Sequence, residues 1–485
     1  MNLLNRKFWN ATHPEAPLTE YPVKALQFGE GNFLRAFIDW MIECSNRAGK
    51  FNGMVQLVQP LPHGTAELIE SQQGLYTLVL RGMEHGAPVE KRQVIGCVKG
   101  CLVCDTQWAD VVRTALLPTL EAVFSNTTEA GIEYKPEPFT PERAQITYPA
   151  KLASLLYARF RAGLPGLVVM PCELIDRNGS TLRECILRYA DDWALGDGFR
   201  RWILEECGFL NTLVDRIVAG YPRAEAEAWC ETFGYKDSLI DCGELFHLLV
   251  IEGDERYRRT IPFAEAGLNV IWTRDQTPYR SRKVRFLNGG HTSSVLAAYL
   301  AGFEFVDQMT SDPLFGSYLR RALFEEIFPT VALPEEEKRA FAESVIERFL
   351  NPFANHRLLS ISLNSISKWR VRVLPSLLDY RRMNGKLPPV LTFSLAALLV
   401  FYQGGCDAAG GWHGTRADGA EYPIQDDPAK IAFLNSHTVA EILARNDFWG
   451  MDLTSIPGFA DAVGKAFETI RRDGVAAAVK SLPEA

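Results

Sequence analysis

The sequence predicts an α/β protein in two parts: a Rossmann-like, parallel-sheet domain over residues 1–280 and a mainly α-helical C-terminal domain over 281–485. Three observations carry that prediction. A chain of 485 residues exceeds what one hydrophobic core sustains, since cores stop growing near roughly 250 to 300 residues. Close to the N-terminus a short apolar strand runs into a glycine turn and then an amphipathic helix, the order in which a parallel sheet receives a dinucleotide. From about Pro278 onward long amphipathic segments take over and strand signals fade.

Lys24 to Phe28, KALQF, reads as the first buried strand. It leads into GEGNFLRAFIDWMIE, where Gly29 and Gly31 let the backbone turn tightly and approach a pyrophosphate, while Phe33, Phe37, Ile38 and Met41 recur at helical spacing. The third position of the G-x-G-x-x-G fingerprint is Leu34, so the motif is incomplete, and a GxG before a helix also serves as a plain turn. Met54 to Gln59 is the second strand. Where a Rossmann unit carries an acid for the adenosine ribose, this strand ends in Gln59 and Pro60, so it does not choose between NAD and NADP.

A hairpin is expected around Arg81 to Arg92, followed by short strands at Val94 to Val98 and Val123 to Ser125. The second of these ends in Asn126 and Thr127, polar groups at the carboxyl edge of a parallel sheet, where cofactors bind. Lys151 to Ala162 reads as a helix and Gly166 to Pro171 as a strand that delivers Cys172 and Glu173 to the same edge. Helices follow at Arg183 to Trp193 and Phe199 to Cys207. Asp215, beside Arg216, suits either a substrate contact or a surface pair. Leu245 to Ile251 and Leu268 to Trp272 are the last strands.

In the helical half, Pro313 to Phe328, Glu335 to Phe349 and Thr392 to Tyr402 are the long amphipathic segments; Gly404 to Gly419 reads as an exposed loop and the tail after Asp473 as a closing helix. Asn351 to Pro375 gathers His356, Arg357, Lys368, Arg370 and Arg372. Such groups suit a solvated basic face or the binding of a carboxylate, which Arg grips with a bidentate fork.

The stretch Tyr279 to Gly302 holds the chemistry. On a regular helix, at about 100° per residue, Asn288 lies about 140° and His291 about 80° around the axis from Lys283, so the three share one face. A desolvated Lys acts as general acid or base, an Asn amide stabilises a developing alkoxide, and a His orients or relays a proton, a set suited to carbonyl/alcohol chemistry. A rise of about 12 Å separates Lys283 from His291. Either the Lys side chain leans along the axis or Gly289 and Gly290 bend the backbone. The same residues also suit a basic helix start with a satisfied His and a glycine turn.

Composition narrows the partners. Net charge is -8, with 51 basic and 59 acidic residues intermixed, which points to a small molecule and away from nucleic acid or an anionic membrane. Met1 to Asn10 lacks the apolar core of a signal peptide, and the longest apolar run, Leu391 to Tyr402, falls short of the roughly 18 residues of a membrane span. The expected location is the cytoplasm. Ten scattered cysteines suit reduced thiols, and Cys97, Cys101 and Cys104 lack a second ligand pair at zinc spacing, so no metal is expected.

QFGEGNFLRAF, FSNTTEAGI, PCELID, NTLVDRIV and the K-x4-N-x2-H pattern at Lys283, Asn288 and His291 follow one another in the order of a known family. From about Ala25 to beyond Asp427 the sequence resembles the polyol-specific long-chain dehydrogenases, the mannitol dehydrogenase family, and most of all its hexuronate reductases. The resemblance implies an NAD-dependent, zinc-free reductase acting on a ketohexuronate. It implies Lys283 as the catalytic acid/base, with Asn288 and His291 holding the alkoxide. The cofactor residues it implies are Ala25, Leu26, Gln27, Phe28, Gly29, Glu30, Gly31, Asn32, Phe33, Leu34, Arg35 and Ala36, with Asn126 and Thr127. On the substrate side it implies Glu173, Asp215 and Arg357. Glu173 stands near where mannitol enzymes carry an Asn, and the NPFANHRLL region departs from their pattern. Both departures fit a substrate ending in a carboxylate. The same chemistry on D-fructuronate, a free ketohexose or a polyol is the nearest alternative, and a dinucleotide sensor without turnover is the alternative of another class.

Overall fold

The computed structural model describes residues 1–127 and 131–483; Thr128, Glu129 and Ala130 of the FSNTTEAGI segment lie outside the described residues. The chain forms two compact units, residues 1–81 with 89–276 and residues 82–88 with 277–485.

The first unit is built on a six-stranded, all-parallel sheet. Its strands, in spatial order, are Val98–Val103, Met54–Gln59, Val23–Phe28, Ala122–Ser125, Val168–Pro171 and Gly208–Phe209. Counted along the chain this is the order 3-2-1-4-5-6 of the doubly wound dinucleotide fold, with the switch point between the first and fourth strands. Both faces are covered, so these strands read as continuous apolar runs: Ala25, Leu26, Phe28, Val123 and Phe124 are essentially inaccessible. Phe28 pairs with Val58 on one side and Ser125 on the other, and Ser125 with Pro171, so the carboxyl ends finish at one level.

One expected strand is corrected. Val94 to Val98 is not a single strand: Ala87–Ile95 belongs to a hairpin in a second sheet, and Val98–Val103 is the edge of the main sheet. The break falls at Gly96, whose N–H leaves the ladder to donate to the buried Glu43 carboxylate at 3.0 Å.

Behind the glycine turn the helix runs as Asn32–Leu34, a π turn Arg35–Asp39, and Trp40–Arg47. The π turn carries a buried cluster. Arg35 donates to Leu239 O at 2.8 Å, lies 3.8 Å from Asp241 and covers the Tyr76 ring, and Tyr76 donates to Arg35 O at 2.7 Å. One guanidinium cannot neutralise both Asp39 and Asp241, and burial pushes each carboxyl up to about 7. An acid raised in the folded state above its unfolded value near 4 contributes stability at low pH that is lost as pH rises through the folded value. The variant Asp39→Asn, which cannot ionise, should therefore gain melting temperature relative to the parent as pH moves from 5 to 8. A gap between the two melting curves that is the same at every pH would show that Asp39 does not titrate there.

The second unit is mainly helical. Gly289–Leu300, buried along nearly its whole length, packs against Pro389–Phe401, Leu358–Ile361 and Ser365–Arg372. Pro389–Phe401 is apolar all round, as a central helix should be. Its first N–H groups are capped by the buried Glu326 carboxylate, which accepts from Val390 N and Leu391 N at 2.7 and 2.8 Å.

Gly404 to Gly419, expected as an exposed loop, is mostly exposed but carries two short strands: Gly405–Cys406 and Trp412–Thr415 pair antiparallel with each other, and Trp412–Thr415 with Glu421–Ile424 just beyond. Tyr422 and Ile424 alternate inward with Glu421 and Pro423 outward, and Tyr422 donates to Phe401 O at 2.9 Å. That two-residue period lies just past the glycines that dominate the segment. Among the described residues, no helix is long and apolar enough to cross a membrane.

Candidate active site

In the first unit a cavity of about 510 Å³ opens at the switch point of the sheet. Gly29, Glu30, Gly31, Asn126, Thr127 and Lys151 are among its lining residues. Gly29 has a φ of 111°, and a Cβ there would come 2.8 Å from Asn126 O, so neither conformation nor space permits a side chain. A Cβ on Gly31 would meet nothing within 4 Å, which leaves that side of the turn open over the start of the helix. A backbone cradle at a helix N-terminus that no side chain fills suits a pyrophosphate, so the residues present fit the dinucleotide.

The remaining residues of the expected run support the cradle from behind. Ala25, Leu26 and Phe28 lie in the core, and Gln27 donates to Gly29 O at 3.1 Å. Leu34, at the incomplete position of the fingerprint, is buried and packs against the Gly29 turn. Asn32 accepts from Arg35 at 2.6 Å, and Phe33 and Ala36 pack toward the core.

The neighbouring strand end is tied down by Glu173. Its carboxylate accepts from Thr127 N at 3.0 Å and from the Thr127 and Ser125 hydroxyls, each at 3.1 Å. Burial raises its pKa, while these donors act the other way. Asn126 donates to Cys172 O at 2.7 Å. Asp215 ends the strand Asn211–Asp215, in a three-stranded sheet of the same unit, and is buried. Arg216 turns elsewhere, to Ala36 O at 2.6 Å and over the Trp40 ring.

In the second unit Lys283, Asn288 and His291 lie on one continuous helix: Thr277–Lys283, a π turn Val284–Asn288, then Gly289–Leu300. The π turn lies between Lys283 and His291. It widens the helix and brings Asn288 closer to the Lys283 face than a regular helix would, and such turns recur at functional sites. Gly289 and Gly290 do not bend the backbone. They admit close neighbours: a Cβ on Gly289 would lie 3.1 Å from Arg372 O, and one on Gly290 3.1 Å from the Leu323 side chain.

Lys283 and Asn288 are half-buried, and the Asn288 amide makes no hydrogen bond to a described residue. His291 is 7% exposed, stacked on Phe349 with centroids 4.0 Å apart and edge-on to His356 at 5.1 Å. Its Nε2 is buried with no partner among the described residues. Burial first, then the neighbouring His356 and the cations Arg348, Arg372 and Lys368, hold its pKa well below the usual range, so the ring is neutral at pH 7.

The basic segment divides. His356, Lys368 and Arg372 join Arg348 around His291. Lys368 donates to Ile361 O at 2.9 Å, and Arg372 makes no ion pair or hydrogen bond to a described residue. Arg357 is exposed over the Phe305 ring, 5.2 Å from its centroid, and Arg370 is exposed beside Gly450. Arg348 was missed from sequence, as were Lys151, Leu61 and Ile146 at the cavity. Leu61 and Ile146 stand out only in the structure, where each is a large aliphatic residue in a loop, 65% and 80% exposed.

Comparison with known proteins gives the family. The profile described as the mannitol dehydrogenase Rossmann domain matches residues 23–263, and that of the mannitol dehydrogenase C-terminal domain matches residues 275–471. The chain belongs to the mannitol dehydrogenase family. Two curated members of high similarity are named altronate oxidoreductase. That of Halalkalibacterium halodurans is 40% identical over 482 residues, covering 96% of this chain and 94% of its own. That of Yersinia enterocolitica is 39% identical over 497 residues, covering 99% of each. Among solved structures, a D-sorbitol dehydrogenase in substrate-free form superposes with a TM-score of 0.83 at 22% identity, covering 98% of this chain and 100% of its own. A Pseudomonas fluorescens mannitol 2-dehydrogenase in ternary complex with NAD and D-mannitol does so with a TM-score of 0.67, also at 22% identity, and 98% of each chain is covered. Membership bears out the expected fold class, a Rossmann-like domain followed by a helical one, and makes the chain a dehydrogenase.

Proposed function

We propose that this protein is a tagaturonate reductase: it reduces the keto group of D-tagaturonate to D-altronate with NADH and reverses the reaction with NAD. The observation that carries the reading is the Lys283, Asn288 and His291 set on one helix, ringed by cations that suit an acidic sugar. Identities of 40% and 39% over nearly the full length to proteins named altronate oxidoreductase support the choice of substrate.

Gly29 and Gly31 hold the pyrophosphate, with the rest of the Ala25–Ala36 run, Asn126 and Thr127 shaping the cradle. When bound, NAD accepts or supplies the hydride. Lys283 gives the proton to the carbonyl oxygen in reduction and takes it back in oxidation. The Asn288 amide and the neutral His291 ring donate hydrogen bonds to that oxygen as negative charge develops on it, stabilisation that water would give less well. Arg348, Lys368 and Arg372 take the carboxylate, with Arg357 at the outer side of the same basic segment. Asp215 and Glu173 belong to the substrate side, Glu173 chiefly by fixing Thr127. The substrate is a small soluble hexuronate, and the place of work is the cytoplasm.

Reduction takes up one proton, so the reverse reaction gains about tenfold in its equilibrium position per unit of rising pH. D-Altronate with NAD at pH 9 should therefore produce NADH, followed by absorbance, with D-tagaturonate identified as the product. Formation of a different keto acid would replace the substrate while keeping the chemistry.

A further inference from the structure

Dinucleotide enzymes of this fold distinguish NAD from NADP at the adenosine ribose, usually by an acid at the end of the second strand. Here that position is Gln59, and the structure commits its side chain elsewhere. Gln59 is 3% exposed; its Nε2 donates to Leu61 O at 2.8 Å and its Oε1 accepts from Ala66 N at 3.0 Å, which closes the loop after the strand. Buried and bonded at both ends of its amide, it offers no carboxylate to a ribose.

A carboxylate reaches the same loop from the opposite side. Glu30, the middle residue of the Gly29–Gly31 turn, points its Oε1 at Thr65 N, 3.4 Å away. A Cβ on Gly64 would collide with both Glu30 Oε1 and Gln59 Oε1, so the two side chains converge on one point of the loop. Glu30 lines the cavity beside Pro60, Leu61 and His63.

Lys135 pairs with Glu133 at 3.1 Å, and Lys151 donates to Ile146 O at 2.7 Å. Among the described residues no arginine lines this cavity, and an arginine is what a 2′-phosphate ordinarily requires.

We infer that Glu30 is the residue that reads the adenosine ribose, accepting from its hydroxyl groups and excluding a 2′-phosphate by like charge. The acid missing from the second strand is thus supplied by the glycine turn. The inference rests on reading this cavity as the dinucleotide site.

The test is binding, read by calorimetry without turnover. NADH and NADPH are titrated into the full-length protein and into Glu30→Gln, which keeps an acceptor for Thr65 N and removes the charge. The parent is expected to bind NADH at least about 100-fold more tightly than NADPH, and the variant to narrow that ratio at least tenfold. An unchanged ratio in a folded Glu30→Gln protein overturns the inference. If the variant does not fold, ADP-ribose and its 2′-phosphorylated form are compared on the parent alone: a loss of at least tenfold on adding the phosphate supports the inference, and equal binding overturns it. Failure of the parent to bind NADH at all overturns the dinucleotide reading, and the inference with it.

Discussion

Lys283→Ala should lower kcat for D-tagaturonate reduction by about 10²- to 10⁴-fold, the usual cost of losing a general acid, while NADH binding stays near the parent value. The asymmetry follows from the fold. Lys283 lies on the second unit's Thr277–Lys283 helix, whereas the glycine cradle and its cavity belong to the first unit. Truncating it removes the proton donor and leaves the cradle intact. The Asn288 amide and the His291 ring would remain to stabilise the developing charge, so some catalysis should survive. His291 cannot take over as an acid, because burial and the surrounding cations keep it neutral at pH 7. Stopped-flow kinetics with a parallel binding titration checks the split. A variant with near-parental kcat would remove Lys283 from the mechanism.

The second large effect concerns what the site recognises. Arg372→Met is expected to lower kcat/KM for D-tagaturonate by about 10- to 100-fold, as loss of a charge-assisted hydrogen bond worth roughly 1.5 to 3 kcal/mol would do. Arg372 ends the Ser365–Arg372 helix, and its carbonyl sits where a Cβ on Gly289 would press. Gly289 thus lets that helix end approach the Lys283–His291 helix closely. The guanidinium is half-buried, burial lowers its pKa, and no described carboxylate pairs with it. A buried cation that lacks a protein partner gains most from an anionic ligand. A ketohexose, lacking the carboxylate, should lose little on the same substitution. Equal losses on the two substrates would mean that Arg372 supports the helix packing and does not read the acid group.

The parallel sheet was legible because its strands are buried on both faces and flanked by turn residues: Met54–Gln59 stands where the sequence predicts it, and Glu335–Phe349 likewise in the helical unit. The break at Gly96 was not legible, because it depends on the Glu43 carboxylate from a distant helix. The small sheet over Gly405–Ile424 was hidden by its glycines, since its burial pattern shows only at Tyr422 and Ile424. At the site, residue types and spacing were enough to single out Lys283, Asn288 and His291. The π turn between them was not, because an i→i+5 bond leaves no mark on an amphipathic pattern. The division of the basic segment was also invisible. Arg357 and Arg372 are alike in sequence, yet one lies exposed on Phe305 and the other is half-buried within electrostatic reach of His291.

The most direct test of the account is kcat/KM measured with NADH for D-tagaturonate, D-fructuronate and D-fructose side by side. The account predicts that D-tagaturonate leads, that D-fructuronate follows, and that D-fructose, without a carboxylate for the Arg348, Lys368 and Arg372 group, is turned over least. Equal or better turnover of D-fructose would contradict it.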